Sequence, residues 1–591
     1  MRKTVFAALL ILLLVAAGTA SAVEPKARTV YVTLSACEDG SEMPRDAVMW
    51  QRVGSKYYFF LPGTGTLENA RLWYGSGDAA INGKTIRSGD RIPDLKDGEA
   101  IRLRYMGKTY LVNVMQGSRI GAVFIDTDSG DMKKIDASKN YRESGSMFLL
   151  NEDGSVGYDG ALDHIKLRGH TSAKFDKKGY AIKLHQKASL LGMGKAKRWA
   201  LTSNARDHAL IRNQICFGMA AYVEMPYTPQ CRQVDLYLNH LYNGTYILQE
   251  KPEIGENRID IADLEKATEA VNDLSLEEYP KAGSASATRG QFKYIDIPND
   301  PEDITGGYLV EFEVSRDRYA EADCVYTTAQ GRLIVVQEPE YASQAQMQYI
   351  TKIMQGYENA IFAEDGIDPV SGKWYDEFID HNSLVMKYML EEISKNLDGN
   401  KSSQYFYKPE NAVSTLAFAG PAWDYDSTFG DYGREKDSWD LLDPTGFYQG
   451  VVNNNLVASS YFWWPKLYVK PDFFESVCAI WQTRYAPALR VVLGREKDET
   501  GKLKSIEEYA AAIEKSAAMN FILWPMRQSS ENIARCGKTF KANIEYLTNF
   551  ISKRYDFLES EWGIKTEEPS EEPTEPPAEE SPAEDTEPSA E

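Results

Sequence analysis

Near the middle of the chain, three aspartates have the type and spacing for phosphate chemistry. In Trp423-Asp424-Tyr425-Asp426-Ser427-Thr428-Phe429-Gly430, two Asp stand two residues apart, just after the apolar run Leu416-Ala417-Phe418-Ala419. If that run is a strand continuing to Asp426, both carboxylates project to one side. There they can share a divalent ion and leave coordination positions for phosphate oxygens. A calcium loop competes, since Asp424, Asp426, Thr428 and Glu435 fall at its positions one, three, five and twelve. It lacks the Gly required at position six, where Phe429 stands, and a strand-like lead-in does not suit a helix–loop–helix. A plain acidic loop is the third reading. Upstream, Asn396-Leu397-Asp398-Gly399-Asn400 closes an amphipathic segment. Such a cluster is ordinarily a cap and turn. Set before the acidic pair, with the short strand 404–408 between, it has the layout of a catalytic loop: Asp398 takes a hydroxyl proton and Asn400 serves a metal.

The third chemical element is Ile165-Lys166-Leu167-Arg168-Gly169-His170 followed by Lys177-Lys178-Gly179-Tyr180-Ala181-Ile182-Lys183-Leu184. On the second strand Tyr180, Ile182 and Leu184 share one face and Lys183 takes the other. A cation there can meet phosphate; a solvated outer face is the plainer alternative. Gly192-Met193-Gly194-Lys195 is not a phosphate loop, because Ala196 replaces the Ser or Thr and position 189 is Ser. There is no H-E-x-x-H and no G-x-S-x-G, and the six His do not cluster.

The elements that must position these groups are mixed α and β. Helices are expected over 207–222, 343–362, 377–396, 505–524 and 541–562, the last with Ile544, Leu547, Phe550 and Ile551 on one stripe. Hairpin turns are expected at Asp153-Gly154 and Asn243-Gly244. Residues 255–300 are polar and read as an insertion or mobile loop. Before this part, 28–117 holds short β-branched and aromatic runs punctuated by Pro62-Gly63, Gly75-Ser76-Gly77 and Asn82-Gly83. That pattern fits a small β-sandwich, read as an accessory or spacing module.

The ends and the charge set the context. Arg2 and Lys3, the apolar run 5–17 and Ala20-Ser21-Ala22 make 1–22 a cleavable signal peptide. The apolar run is short of the roughly 20 residues that span a bilayer, so the expectation is a secreted or cell-surface protein with no transmembrane anchor after cleavage. The chain has 591 residues and a net charge of −21. Ten Glu and one Asp lie in 566–591 with no Lys or Arg, a Pro/Glu-rich tail that cannot bury a core. This acidity argues against a nucleic-acid partner, which needs basic patches. Six scattered Cys form no C-x-x-C pair, and Cys216 and Cys231 are either a bridge or buried thiols.

Taken together, these motifs resemble the spore coat protein H (CotH) family, secreted proteins with a divergent kinase-like fold. The resemblance runs from about Val123 to Trp562. It includes Arg168-Gly169, Lys177-Lys178, Lys183-Leu184, Trp199, Asp207 with Ile211-Arg212-Asn213, Asp235-Leu236-Tyr237-Leu238-Asn239, Glu250, Gly307-Tyr308-Leu309-Val310-Glu311 and the Asp398 and Asp424 segments. It implies an α+β fold, with a CotH kinase-like domain over 119–565 behind the β-sandwich of 28–117. It further implies Asp398 as catalytic Asp, Asp424, Asp426 and Asn400 as metal residues, and Lys183, Lys178, Arg168 and Glu250 around the nucleotide. ATP with Mg2+ or Mn2+ would be the cofactors, and Ser or Thr of an exported protein the acceptor. The chain departs from the family's R-G-N-S-T-W and K-K-P-Y-R-I-K-L at His170, Ala173, Gly179 and Ala181. Two functions stay open: an extracytoplasmic protein kinase, or a kinase fold of weak or no activity that serves binding or carbohydrate association at the cell envelope.

Overall fold

The computed structural model describes residues 26–35, 42–169, 171–284, 288–431, 441–450, 462–526 and 537–563. The stretch 1–22 read as a signal peptide, the acidic tail 566–591, His170, Glu435, Cys37 and Cys536 lie outside them.

The first part holds two sheets. One is three-stranded, in the order Val48–Met49, Val30–Thr33, Arg71–Tyr74; the other is six-stranded, from Gln51–Val53 through Lys56–Leu61, Lys108–Gln116, Ala100–Tyr105 and Ala79–Ile81 to Lys84–Ile86. Strict alternation over Ala100–Tyr105 buries Ile101, Leu103 and Tyr105 and leaves Arg102 and Arg104 in solvent. The two sheets share one core, but that core does not close on itself. It continues into Phe124, Tyr237, Tyr242 and Met519 of the following part. Phe60 packs on Tyr242 with ring centroids 5.1 Å apart, Met49 N donates to His240 O at 2.9 Å, and Ser118 N donates to Ser516 Oγ at 2.8 Å. The module is therefore built into the larger body, not spaced away from it.

Seven strands then close a barrel: Gly121–Thr127, Glu143–Leu150, Val156–Arg168, Gly179–Ala188, Ala196–Thr202, Leu241–Gln249 and Cys231–Leu238, the last pairing in parallel with the first. Its interior is apolar, with Ile165, Tyr180, Ile182, Leu184, Trp199 and Leu248 packed together. The period of two sends the intervening residues outward. His164 pairs with Lys183, Lys166 with Ala181 and Arg168 with Gly179 along that outer face.

A second seven-stranded sheet runs Lys281–Gly283, Phe292–Ile295, Val325–Thr327, Leu333–Glu338, Tyr308–Glu313, Tyr405–Lys408, Phe418–Ala419. Helices Gln344–Phe362 and His381–Ile393 pack on it, while Ile506–Leu523 packs on the barrel strand Leu241–Gln249 and on helix Phe540–Trp562. Ser343 with Gln346 and Ser505 with Glu508 form capping boxes that start two of them. The expected helix starting at 207 begins instead at Arg212, whose N–H donates to the buried Asp207 Oδ2 at 2.9 Å. Segment 255–300 is not a loop throughout: it contains helix Leu264–Glu269 and two of the sheet's strands, anchored by buried Leu264, Leu276 and Ile295. Cys216 and Cys231 are both free thiols. Among the described residues, no helix is long and apolar enough to cross a membrane.

Candidate active site

Between the barrel's outer face and the second sheet lies a cleft of about 650 Å³. The barrel contributes His164, Lys166, Ala181, Lys183 and Arg198, and the sheet side contributes Glu313, Arg318 and Gln337. Alternation in Gly179–Ala188 puts Lys183 on this wall while Ile182 and Leu184 fill the barrel. Lys183 Nζ lies 3.5 Å from Asp163 Oδ2. Burial pushes the Glu338 carboxyl, on the same cleft, up to about 8.

Asp398 follows helix His381–Ile393 in a tight turn. Its N–H donates to Asn396 Oδ1 at 3.1 Å, and its carbonyl accepts from Lys401 N at 2.8 Å and Ser402 N at 3.1 Å. Burial raises its carboxyl to about 6; the charge of Asp424 adds to this, while Lys401 and Arg206 oppose it. The acidic pair is reached differently from the expectation. The strand ends at Ala419, and Asp424 has a left-handed backbone with φ of 67°. A turn, not strand alternation, brings the two carboxylates together. Burial and then the charge of Asp424 raise Asp426 to about 7. Tyr425, between them, is fully buried with its hydroxyl on Glu391 at 2.7 Å.

Cations ring this acidic group. Arg168 Nη1 donates to Thr202 Oγ1 at 2.6 Å, and its guanidinium stands 5.4 Å from the Trp423 ring centre. Burial lowers its pKa against the opposing pull of Asp424, Tyr405 and Asp426. Arg318 pairs with Glu313 at 3.0 Å and Glu311 at 3.9 Å. It both lines the cleft and feels the charge of Asp424. Asp424 thus reaches the cleft through Arg318, while none of the three aspartates lines the cleft itself.

Three expected residues fall elsewhere. Lys178 Nζ donates to Ala173 O at 2.9 Å, tying off the turn that begins at Thr171, and does not line the cleft. Glu250 accepts from Gln230 N at 2.9 Å, is ion-paired to Arg258, and lines a separate cavity of about 110 Å³. Asn400 commits its amide to Gln449, donating to Oε1 at 2.8 Å, while its own Oδ1 is buried with no donor among the described residues. A side chain that does reach Asp424 is Ser403, whose hydroxyl donates to Oδ2 at 3.1 Å. A signal for it existed: a kinase catalytic loop places its metal-serving residue five after the Asp, which here is Ser403. Arg206 and Arg318 left no such trace, since each lies on a segment remote in sequence from the aspartates.

The group suits a cation shared with a ligand better than a closed metal cage. Among the described residues, no three His, Cys, Asp or Glu side chains group to hold a metal unaided. Asp424 and Asp426 are two mutually repelling acceptors, each with a serine hydroxyl on one oxygen. They fit Mg2+, which takes one or two carboxylates and completes its shell with water and phosphate. Glu435, on which the calcium-loop alternative depends, lies outside the described residues.

No curated protein matches the sequence. Residues 165–558 match the family described as CotH kinase protein, a span that begins inside the barrel and contains Arg168, Lys178, Lys183, Glu250 and the three aspartates. Since that match covers more than half of the sequence, the chain belongs to the CotH kinase family.

Proposed function

We propose that this chain is an extracytoplasmic phosphotransferase on a divergent protein-kinase-like fold, moving the γ-phosphate of ATP to Ser or Thr hydroxyls of exported proteins. The observation that carries the reading is the electrostatic coupling of Asp398 and Asp426 to Asp424, which also acts on Arg318 of a cation-bearing cleft, in a member of the CotH kinase family. The cleft's volume is in the range of nucleotide-sized ligand sites.

In this reading, Asp398 accepts the acceptor hydroxyl's proton as the new O–P bond forms and the bond from the γ-phosphorus to the β–γ bridging oxygen breaks, with ADP leaving. Asp424 and Asp426 hold Mg2+ or Mn2+, which when bound neutralises charge on the phosphate oxygens. Ser403 fixes the Asp424 carboxylate. Lys183 and Arg168 offer positive charge to the nucleotide from the barrel side.

One observation favours a second reading, a kinase fold kept for binding at the cell surface. Ala181 stands on the cleft wall where the family usually carries Arg, and Lys183 is already paired with Asp163. Labelled ATP separates the two. With Mg2+ or Mn2+, the wild-type chain should label itself or added Ser/Thr peptides. Asp398→Ala should bind Mg–ATP while transfer falls by about 100-fold or more, as expected when a proton-accepting group is lost. Lys183→Ala should weaken nucleotide binding instead. A wild-type chain that binds ATP and transfers nothing establishes the binding reading.

A further inference from the structure

Beneath the three aspartates lies a carboxylate that touches none of the reacting groups. Glu391, on helix His381–Ile393, has no solvent exposure. Its Oε1 accepts from Lys387 Nζ at 2.7 Å and from the Tyr425 hydroxyl at 2.7 Å, and Lys387 also donates to that hydroxyl at 3.1 Å. Its Oε2 accepts from Asn396 Nδ2 at 2.7 Å. Tyr425 is the residue between Asp424 and Asp426. Asn396 in turn accepts from the Asp398 N–H. One oxygen of Glu391 thus holds the turn of the acidic pair, and the other holds the Asp398 loop.

We infer that Glu391 is a positioning residue that fixes the spacing between Asp398 and the Asp424–Asp426 pair. The inference rests on the phosphotransferase reading for its kinetic consequence, but not for its structural one. The chemistry of the donors explains why the residue must be acidic. Three donor groups converge on two oxygens, and only an acceptor-only side chain satisfies both sides. A Gln at this position must turn its NH2 either toward Lys387 and Tyr425 or toward the Asn396 amide, so a donor faces a donor on one side. The Lys387 charge balances the carboxylate, which unpaired would be strongly destabilising at full burial.

The chain carrying Glu391→Gln tests this by hydrogen exchange and by kinetics. Backbone exchange should quicken in peptides covering 394–403, 421–430 or both. The kcat for transfer should fall by about 10- to 100-fold with KM for ATP nearly unchanged, the scale of losses when the partners that orient a site's ligands are removed. Combining Glu391→Gln with Asn396→Asp restores complementarity. The Gln amide then donates to the carboxylate introduced by the second substitution, while its carbonyl keeps Tyr425 and Lys387. That double variant should recover much of the lost kcat and exchange protection. Tyr425→Phe, the milder change, should quicken exchange in 421–430 alone, and it decides the question if Glu391→Gln does not fold. Wild-type exchange in both stretches, or a double variant no better than the single, overturns the inference. A wild-type chain that transfers no phosphate overturns the phosphotransferase reading instead, and exchange still decides the role of Glu391.

Discussion

At the scale of single residues, the site is a balance of buried charge, and that balance sets what substitutions do. Asp424→Asn keeps an oxygen for the Ser403 hydroxyl and removes a charge that repels Asp426. The fold should therefore survive or gain slightly. Metal-dependent nucleotide binding should weaken by about 2 kcal/mol, the worth of a charge-assisted contact, as read by calorimetry with Mg2+ or Mn2+. Away from the site, Lys177 is buried, donating to Thr245 O at 2.6 Å and Asn520 Oδ1 at 2.8 Å. Burial lowers its pKa to about 7, with Asp235 opposing. A lysine depressed in the fold contributes stability that is present above its unfolded value of about 10.4 and lost as pH falls through the folded one. From pH 7 to 9, wild type should therefore gain on Lys177→Met, by at most about 1.4 kcal/mol per pH unit. Urea denaturation across that range measures it; a constant difference contradicts the assignment.

At the scale of elements, the sequence carried more of the local structure than of the long-range pairing. Ser343 and Ser505 announce their helices by side chains that cap locally, so those starts were legible within a residue. The inward and outward faces of Gly179–Ala188 followed from alternation. The closed barrel did not, because Gly121–Thr127 pairs in parallel with a strand more than a hundred residues later, which leaves no local mark. Segment 255–300 was misread because its anchors, Leu264, Leu276 and Ile295, follow no period. The acidic pair was legible by residue type, while its geometry depends on the left-handed Asp424, which spacing cannot reveal. The last helix offers a prediction at this scale. Arg554 has no exposure and pairs with Glu392 at 2.8 Å, with further bonds to Glu392 O and Ile393 O. Arg554→Met leaves Glu392 buried and unpaired, and should cost about 3–5 kcal/mol in chemical denaturation. A loss under about 1 kcal/mol, the scale of an ordinary hydrogen bond, would show that Glu392 is sustained by the N–H groups of Tyr448, Gln449 and Gly450 alone.

At the scale of the whole molecule, the N-terminal sheets and the barrel share apolar surface that neither can leave exposed. Phe124, Tyr237 and Tyr242 are at most 2% exposed. Each contributes about 1.5–3 kcal/mol on burial, so a chain beginning after residue 117 should aggregate or melt well below the chain that retains the module. Calorimetry of the longer chain should show the module and barrel unfolding in one transition; a separate transition for each, or an unchanged melt after truncation, would make the module dispensable.

The Arg554–Glu392 pair also imposes an order in time. Glu392 Oε2 accepts from Gln449 N and Gly450 N, and the Gln449 side chain in turn holds Asn396 O and the Asn400 amide. Translation delivers all three aspartates long before Arg554 leaves the ribosome. A nascent chain stalled or clipped ahead of the final helix therefore carries the acidic residues without the brace that seats their loop.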